Sequence, residues 1–206
     1  MIRFRIACLS LVTCASTWAA PPTPTPILPE GTGTLMATFS TTAGEIRCTL
    51  FEKEVPKTVT HFVGLATGKK PWIETGTRKA VRRPFYQDLS FHRIVSGTLI
   101  QAGCPIGDGT GGPGYTIEDE FSPVARHGQA GTLGLANRGP HTGGSQFYIT
   151  TKPLPHYDFH YAVIGQCQDL AVINAIARTP TKLLDIPTQS VRIKSVHIWR
   201  QDSKKK

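Results

Sequence analysis

The sequence predicts a single, mainly β domain, and three observations support this fold class. The chain has 206 residues, 39% of them hydrophobic, which suffices for one well-buried core but is short for two. Its 20 glycines and 16 prolines favour many turns over long helices. The segment Glu45–Phe51 alternates apolar and polar side chains, as a half-buried strand does. We therefore predict a β-rich fold with few and short helices.

The first twenty residues have the pattern of a secretory signal peptide. Arg3 and Arg5 precede an apolar run, Ile6–Val12, and small residues follow as far as Ala20. The apolar run is too short to span a bilayer. We expect cleavage near Ala20, export to the periplasm and no membrane attachment afterwards. A lipoprotein signal ending at a lipidated Cys14 is the alternative, although the residue before this cysteine fits that motif poorly.

Composition divides the rest of the chain into three parts. Residues 21–33 are rich in proline, which lacks an amide donor, so we interpret them as an extended tether. Residues 34–200 are expected to form the domain, and residues 201–206 a basic tail. Loss of the two arginines of the signal would lower the formal net charge from +9 to +7.

Two short helices are predicted within the domain. The first starts at Pro56, a residue favoured at the first helical position, and stops at Gly68. The second covers about Asp169 to Arg178 and ends before Pro180. Each has one apolar stripe, so each should pack one face on the core.

Two further segments have distinctive patterns. Lys69–Gln87 is long, polar and basic, and we interpret it as an extended surface loop. Val191–Trp199 is predicted to be the last strand, with an alternation that shifts around Ser195 and Val196, as at a β-bulge.

Charge and cysteines exclude several classes of function. The basic residues cluster in one loop and the tail, where charge is usually solvated, so no nucleic-acid partner is predicted. After export, Cys48, Cys104 and Cys167 could form at most one internal disulfide, with the pairing left open. Because no CxxC or Cys/His spacing is present, we expect neither a metal nor another cofactor.

Two motifs carry the strongest functional signal. FHRIVSGTLIQAG, Phe91–Gly103, and GTLGLANRGPHTGGSQFYIT, Gly131–Thr150, each have the pattern of strand, glycine turn and strand. Each places polar groups among apolar neighbours, which is typical of a binding site. The two motifs closely resemble the signature blocks of the cyclophilins, peptidyl-prolyl cis/trans isomerases, and the resemblance runs from about Leu35 to Trp199. It implies a closed eight-stranded antiparallel barrel, capped by the two helices, with an active groove on one outer face.

The chemistry implied by this resemblance needs no nucleophile. Rotation of a prolyl bond has a barrier of about 18–20 kcal/mol from amide resonance, so an enzyme need only favour the twisted state. In that state the prolyl nitrogen accepts a hydrogen bond, and a fixed guanidinium binds it better than either planar isomer. The resemblance assigns this role to Arg93 and the positioning of the substrate to Gln101.

The resemblance also implies a set of substrate contacts. Backbone groups near Asn137 would hold the residue before proline, and an apolar cup would hold the proline ring. Several cup positions depart from the family: Thr98, Leu99, Tyr148 and Tyr157 stand where most active members have phenylalanine, methionine, phenylalanine and leucine. The expected substrate-binding residues are Thr98, Leu99, Ala136, Asn137, Gln146, Tyr148, His156, Tyr157 and Tyr161.

Two of these departures have functional consequences. Thr98 in place of a ring removes about 1–3 kcal/mol of ring burial, which predicts weaker activity or a shifted preference. His156 stands where many eukaryotic members have the tryptophan that contacts cyclosporin, which implies poor cyclosporin sensitivity. For Gln146, a bond to backbone is as plausible as substrate contact.

Three other site types fit the residues less well. The alternating His156, Asp158 and His160 could ligate a metal, but neighbouring prolines favour a loop. Gly107–Gly114 lacks the GK[ST] of a phosphate loop and is better explained as a glycine loop beside the groove. A hydrolase built on Ser145 lacks the nucleophile-elbow pattern and an evident carboxylate.

The function predicted from the sequence is therefore prolyl isomerisation in folding exported proteins. The expected partners are proline-containing segments of these proteins, and we expect a monomer. The alternative is a weakly catalytic or non-catalytic chaperone or scaffold of the same fold that binds proline peptides. The altered cup at Thr98 and Leu99 motivates that alternative.

Overall fold

The computed structural model describes residues 26–202. The predicted signal peptide, the first part of the tether and the last four residues lie outside the described residues. Eleven strands and two α-helices follow one another along this part of the chain. The strands are β1 Thr34–Thr41, β2 Gly44–Leu50, β3 Trp72–Ile73, β4 Ala80–Val81, β5 Leu89–Ser90, β6 Arg93–Val95, β7 Leu99–Ala102, β8 Thr132–Leu135, β9 Phe147–Thr150, β10 Val163–Cys167 and β11 Arg192–Gln201.

Nine strands form one sheet in the order β5-β11-β1-β2-β10-β8-β9-β7-β6, and every pairing in it is antiparallel. The edge strands β5 and β6 are separated in the chain only by Phe91 and His92. A trans peptide spans 3.8 Å between Cα atoms, so the two edges of the sheet must curl round to meet there. The predicted mainly β fold with two helices is confirmed. The predicted eight strands are obtained if β5 and β6 count as one interrupted strand, and at this junction the chain itself joins the two edges.

The helices α1, Pro56–Thr67, and α2, Leu170–Ala177, confirm the predicted positions. Gly68 ends α1 in the left-handed conformation, with φ of 73°, and its amide donates to the Leu65 carbonyl at 3.2 Å. Only glycine adopts this conformation without steric cost, which explains the stop.

The core lies between α1 and the inner face of the sheet. Phe62 of α1 packs on Phe39 of β1 and Phe147 of β9, with ring centroids 6.1 and 6.0 Å apart. Tyr86 and Phe91 are fully buried in the same cluster. Strands that carry site residues on the outer face are therefore fixed by large aromatic side chains on the inner face.

The interpretation of Lys69–Gln87 as an extended surface loop is correct only in part: most of its residues are exposed, but the segment is anchored to the domain. This segment contains the antiparallel pair β3 and β4, and its Trp72, Phe85 and Tyr86 are buried. The charged residues around these aromatics hid the burial signal, since only a few apolar positions anchor the segment.

Three smaller features also differ from or complete the expectations. From Pro26 on, the tether packs on the domain, because Ile27 and Leu28 contact the core. The predicted bulge in the last strand lies at Lys194, which the register skips. Cys48 of β2 faces Cys167 of β10, where they form a disulfide, and Cys104 is free and buried.

Candidate active site

Two strands of the first motif place Arg93 and Gln101 side by side. The strands β6 and β7 form a hairpin in which Arg93 lies directly opposite Gln101. Gly97 in the turn has a left-handed φ of 62°, and the Thr98 amide donates to the Val95 carbonyl at 2.9 Å. Directly opposed residues project from the same face, so both side chains reach one surface.

The Arg93 guanidinium is held by a carboxylate that the sequence did not reveal. Its Nε and Nη2 donate to Asp185 Oδ2 at 3.2 and 3.1 Å. About half of the Arg93 side chain is exposed, at 47%, so the guanidinium is still accessible. Asp185 is 92 positions away in the chain and belongs to no motif, which explains why sequence reasoning missed it.

A second set of hydrogen bonds fixes the two glutamines. Gln101 Nε2 donates to Gln146 Oε1 at 3.0 Å, and Gln146 Nε2 donates to the carbonyls of Gly109 and Gly111 at 2.7 and 2.9 Å. Of the two roles considered for Gln146, the structure shows the hydrogen bonds to backbone carbonyls. The glycine loop lies beside the groove, and Gly107, Gly109 and Gly114 have positive φ.

The apolar cup is a small cluster separate from the main core. Leu99, Tyr148 and Leu154 are buried in it, and four partly buried side chains pack against them: Val95, Ala136, Tyr157 and Tyr161. Thr98, which is partly buried, directly precedes Leu99, and its hydroxyl donates to the Ser96 carbonyl at 3.4 Å. Leu154, which follows a proline in a segment of low periodicity, was not predicted.

The wall of the cup is built from three tyrosines. The Tyr148 ring meets Tyr157 and Tyr161 edge to face, at centroid distances of 5.8 and 5.7 Å. Tyr148 also covers Gly134 so closely that a Cβ there would lie 2.4 Å from the ring. Glycine at this position is therefore required for the Tyr148 ring to lie flat in the wall. His156 packs on Tyr157 at the edge of this wall, with ring centroids 4.8 Å apart.

The Tyr148 hydroxyl points into the protein, where it joins a buried hydrogen-bond chain. It donates to His127 Nε2 at 2.7 Å, and His127 Nδ1 donates to Asp158 Oδ1 at 2.8 Å. Tyr148 and His127 are buried, at 2% and 0% exposure. Only the ring of Tyr148 faces the other two tyrosines, so the hydroxyl that distinguishes it from phenylalanine does not enter the cup.

The pKa shifts of the three hydrogen-bonded residues, Tyr148, His127 and Asp158, all favour the same protonation state. Burial lowers the pKa of His127, although Asp158 opposes this effect, so the imidazole is neutral near pH 7. Burial raises the pKa of Tyr148 well above 10.0, which keeps the phenol protonated. Burial would raise the pKa of Asp158, but hydrogen bonds from His127 outweigh it and lower the pKa below 3.8. The Asp158–His127–Tyr148 chain is therefore fully satisfied.

Beside the glutamines lies a cavity of about 520 Å³. Asn137 lines it, while its Nδ2 donates to the His160 carbonyl at 2.8 Å, and Arg138 Nη2 donates to the Gly109 carbonyl at 2.5 Å. A larger depression of about 820 Å³ lies at the start of α1 and is lined by none of the predicted site residues. Volume alone therefore does not identify the site.

The discarded site types have no support in the geometry of the described residues. The Asp158 carboxylate is engaged by His127, and residues 26–202 hold no cluster of three or more metal-ligating side chains. The Ser145 hydroxyl is buried and donates to the Gly103 carbonyl at 2.7 Å, so it does not face the surface as a nucleophile would. Within the same range, no helix has the length and apolar character needed to cross a membrane.

Comparison with known proteins gives the same family as the geometry. The family model "Cyclophilin type peptidyl-prolyl cis-trans isomerase/CLD" matches residues 36–198. A probable peptidyl-prolyl cis-trans isomerase A of Mycobacterium leprae is 42% identical over 79% of this chain and 91% of its own length. Peptidyl-prolyl cis-trans isomerase B of Streptomyces anulatus is 43% identical over 79% of this chain and 95% of its own.

A solved structure agrees as well. The cyclophilin-type peptidyl-prolyl cis-trans isomerase of Cryptosporidium parvum superposes with a TM-score of 0.71 at 26% identity, over 83% of this chain and all of that one. The match of the family model to most of the chain, and relatives above 40% identity that are covered almost completely, show that the chain belongs to the cyclophilin-type peptidyl-prolyl cis-trans isomerases.

Proposed function

We propose that this isomerase uses Arg93 as its electrostatic group and Gln101 to position the substrate, on extended proline-containing segments of folding exported proteins. The observation that carries the assignment is the placement of Arg93 directly opposite Gln101, with the apolar cup beside them. Val95 follows Arg93 by two positions on β6 and belongs to the cup. Side chains two apart share a face, so the charge and the cup lie on one surface.

The chemistry follows from what rotation does to the peptide bond. As the bond twists, the prolyl nitrogen loses conjugation and gains a lone pair that can accept a hydrogen bond. A guanidinium fixed beside the cup donates to that lone pair only in the twisted state. Each 1.36 kcal/mol of such selective stabilisation accelerates rotation about tenfold. Because Asp185 already fixes Arg93, little reorganisation is needed when the bond rotates.

The substrate class follows from the cup. Leu99, Leu154 and the ring of Tyr148 form a buried apolar cluster, and the Tyr148 hydroxyl points away from it. A proline ring suits such a surface, since it buries carbon atoms and has no amide donor to satisfy. A structure of the Cryptosporidium parvum relative was solved in the presence of the dipeptide Ala-Pro, at a TM-score of 0.70 and 27% identity. That relative supports an X-Pro ligand for this chain.

The remaining assignments place other residues around the bound segment. Ala136 and Asn137 would hold the residue before proline, with His156 and Tyr157 at the rim. The Ala136 amide is already bonded to the Gln146 carbonyl at 2.8 Å, which fixes this backbone beside the cup. Thr98 offers no ring to the proline site, so we infer weaker binding than a phenylalanine there would give.

We further infer that the enzyme is exported to the periplasm and acts there as a monomer. The signal pattern of the first twenty residues supports export. The disulfide between Cys48 and Cys167 adds support, since such bonds persist mainly in oxidising compartments.

The test of this function is the exchange rate of an X-Pro peptide, measured by NMR without a coupling protease. We expect the wild-type protein to accelerate cis/trans exchange at substoichiometric concentrations. Exchange no faster than in the free peptide, with chemical shifts that still report binding, would favour the alternative of a proline-binding chaperone. The altered cup at Thr98 is the observation that keeps this alternative in view.

A further inference from the structure

A turn beside the catalytic arginine combines a closed backbone with an unusual conformation. Thr181 and Pro187 form an isolated bridge, and the Lys182 amide donates to the Ile186 carbonyl at 2.7 Å. At its tip Leu184 and Asp185 are both left-handed, with φ of 63° and 62°. This conformation is unfavourable for a branched side chain such as leucine, so the closed turn must hold it in place.

The same turn, residues 181–187, exposes large apolar side chains. Leu183 is 84% exposed, Leu184 75% and Ile186 48%. They are three of nine exposed large hydrophobic residues among those described, and they fall within four positions. Single exposed apolar residues are normal on protein surfaces, whereas a contiguous group marks a surface that contacts something.

The turn adjoins the catalytic groove through one ion pair. Between its apolar residues stands Asp185, whose Oδ2 accepts both hydrogen bonds from Arg93. On the neighbouring strand, Gln101 of β7 lies directly opposite Arg93. Arg93 thus contacts the turn through Asp185 and shares its strand with Val95 of the cup.

A bound polypeptide would extend from the cup to this turn. An extended chain spans at most about 3.3–3.6 Å per residue, so a residue about two to four positions from the proline can reach across Arg93. Apolar contact there would add affinity without interfering with rotation of the prolyl bond. The apolar residues flank Asp185, which contacts Arg93, so they border the groove within reach of a single extended segment.

We propose that residues 181–187 form a docking ledge for a bulky apolar residue that flanks the proline of an extended client, and that Asp185 is the positioning residue for Arg93. This inference rests on the proposed function and adds its substrate preference. Leu183, Leu184 and Ile186 supply the contact area of the ledge. Asp185 supplies the carboxylate that directs the guanidinium toward the substrate.

The first experiment compares two peptides that share an Ala-Pro centre. One peptide has leucine on both sides of this centre, and the other has serine. For the wild-type protein we expect kcat/KM to be about three- to tenfold higher with leucine flanks, mainly through KM. The double variant Leu183→Ser and Leu184→Ser should lose this preference and keep its rate on serine peptides. Val124→Ser, which removes a side chain of similar exposure, 73%, from another loop, should keep the preference.

The outcomes separate the ledge from the proposed function. No preference in the wild type, or an unchanged preference in the double variant, overturns the ledge. If neither peptide is accelerated, the proposed catalysis fails, and peptide affinity by NMR titration still tests whether the serine variant loses leucine-specific binding. Sedimentation tests whether the apolar group mediates self-association. If the wild type is a dimer, and the double serine variant is a monomer that keeps the preference for leucine peptides, the group serves dimerisation and the ledge is overturned. The single variant Leu183→Ser repeats the test should the double variant unfold.

The second experiment tests Asp185 through Asp185→Asn. We expect kcat to fall about three- to tenfold with KM nearly unchanged, and the ¹⁵Nε resonance of Arg93 to shift. The matched variant Asp185→Glu, which keeps the carboxylate, should recover part of kcat. An increase in kcat for Asp185→Asn would mean that the carboxylate competes with substrate for Arg93, and would overturn the positioning role.

Discussion

The two sides of the active groove hold their polar groups in opposite ways. On one side, Arg93 is about half exposed, and its partner Asp185 lies in a surface turn. On the other side, the Tyr148 hydroxyl is buried and bonded to a fully buried His127. A charged group that binds substrate has to remain exposed. A ring that only lines an apolar site can be held by a hydrogen bond on its buried side. We therefore assign the chemistry to the exposed side and the shape of the proline site to the buried side.

The largest expected effect is on the exposed side. Arg93→Ala removes the donor to the twisted prolyl nitrogen, and loss of one such group typically lowers the rate about 10²- to 10³-fold. We expect this fall in kcat/KM, measured by NMR exchange. The free energy of unfolding should change by less than about 1 kcal/mol, because the surface ion pair with Asp185 contributes little.

Arg93→Lys is the matched control for charge. It retains the positive charge but loses the planar fork that holds Asp185 through Nε and Nη2. An activity between those of the wild type and the alanine variant is expected. Activity equal to the wild type would mean that charge alone, without fixed geometry, accounts for catalysis.

On the buried side, we expect His127→Ala to act on stability and binding. It leaves the buried hydroxyl of Tyr148 unpaired and opens a void, which should cost about 1–3 kcal/mol of folding free energy measured by urea unfolding. KM should rise because the ring is no longer anchored, while kcat should fall far less than in Arg93→Ala. A loss of kcat as large as that of the arginine variant would contradict the division between the two sides.

A smaller effect is expected for Tyr148→Phe, which keeps the ring and removes the bond to His127. The cost should be about 1 kcal/mol, since one hydrogen bond is lost and the imidazole Nε2 is left unpaired. In a double-mutant cycle with His127→Ala, the two losses should be less than additive, because both remove the same bond. Full additivity would show that the two residues act independently.

A further effect concerns pH and a second buried histidine. Burial, with Lys70 adding to it, lowers the pKa of His61 to about 4, while the unfolded chain keeps a value near 6.5. The unfolded state then binds more protons in this window, so the free energy of unfolding should fall as pH drops from about 6.5 to about 4. His61→Asn should reduce that slope, which is measured by urea unfolding at a series of pH values.

Much of the fold was predictable from the sequence because its signals are local. Proline at the first position of α1, the left-handed Gly68 after the helix and the alternation of Glu45–Phe51 each act within a few residues. The hairpin that places Arg93 opposite Gln101 is also local, since Gly97 sets its turn and therefore its register.

The features that sequence reasoning missed depend on contacts between distant segments. Asp185 and Leu154 are far in sequence from Arg93 and Leu99, which they contact, and neither lies in a motif. The direction of the Tyr148 hydroxyl was not predicted, because it depends on His127, which is 21 positions away. Residue identity alone does not show whether a phenol faces the cup or the interior.

The most direct test measures Arg93→Ala and His127→Ala side by side, with exchange NMR for kcat and KM and urea unfolding for stability. The account predicts a crossed result: the arginine variant loses catalysis and keeps its stability, while the histidine variant loses stability and affinity and keeps most of its kcat. Full isomerase activity in Arg93→Ala would contradict the account, since the exposed guanidinium would then not be the group that stabilises the rotating bond.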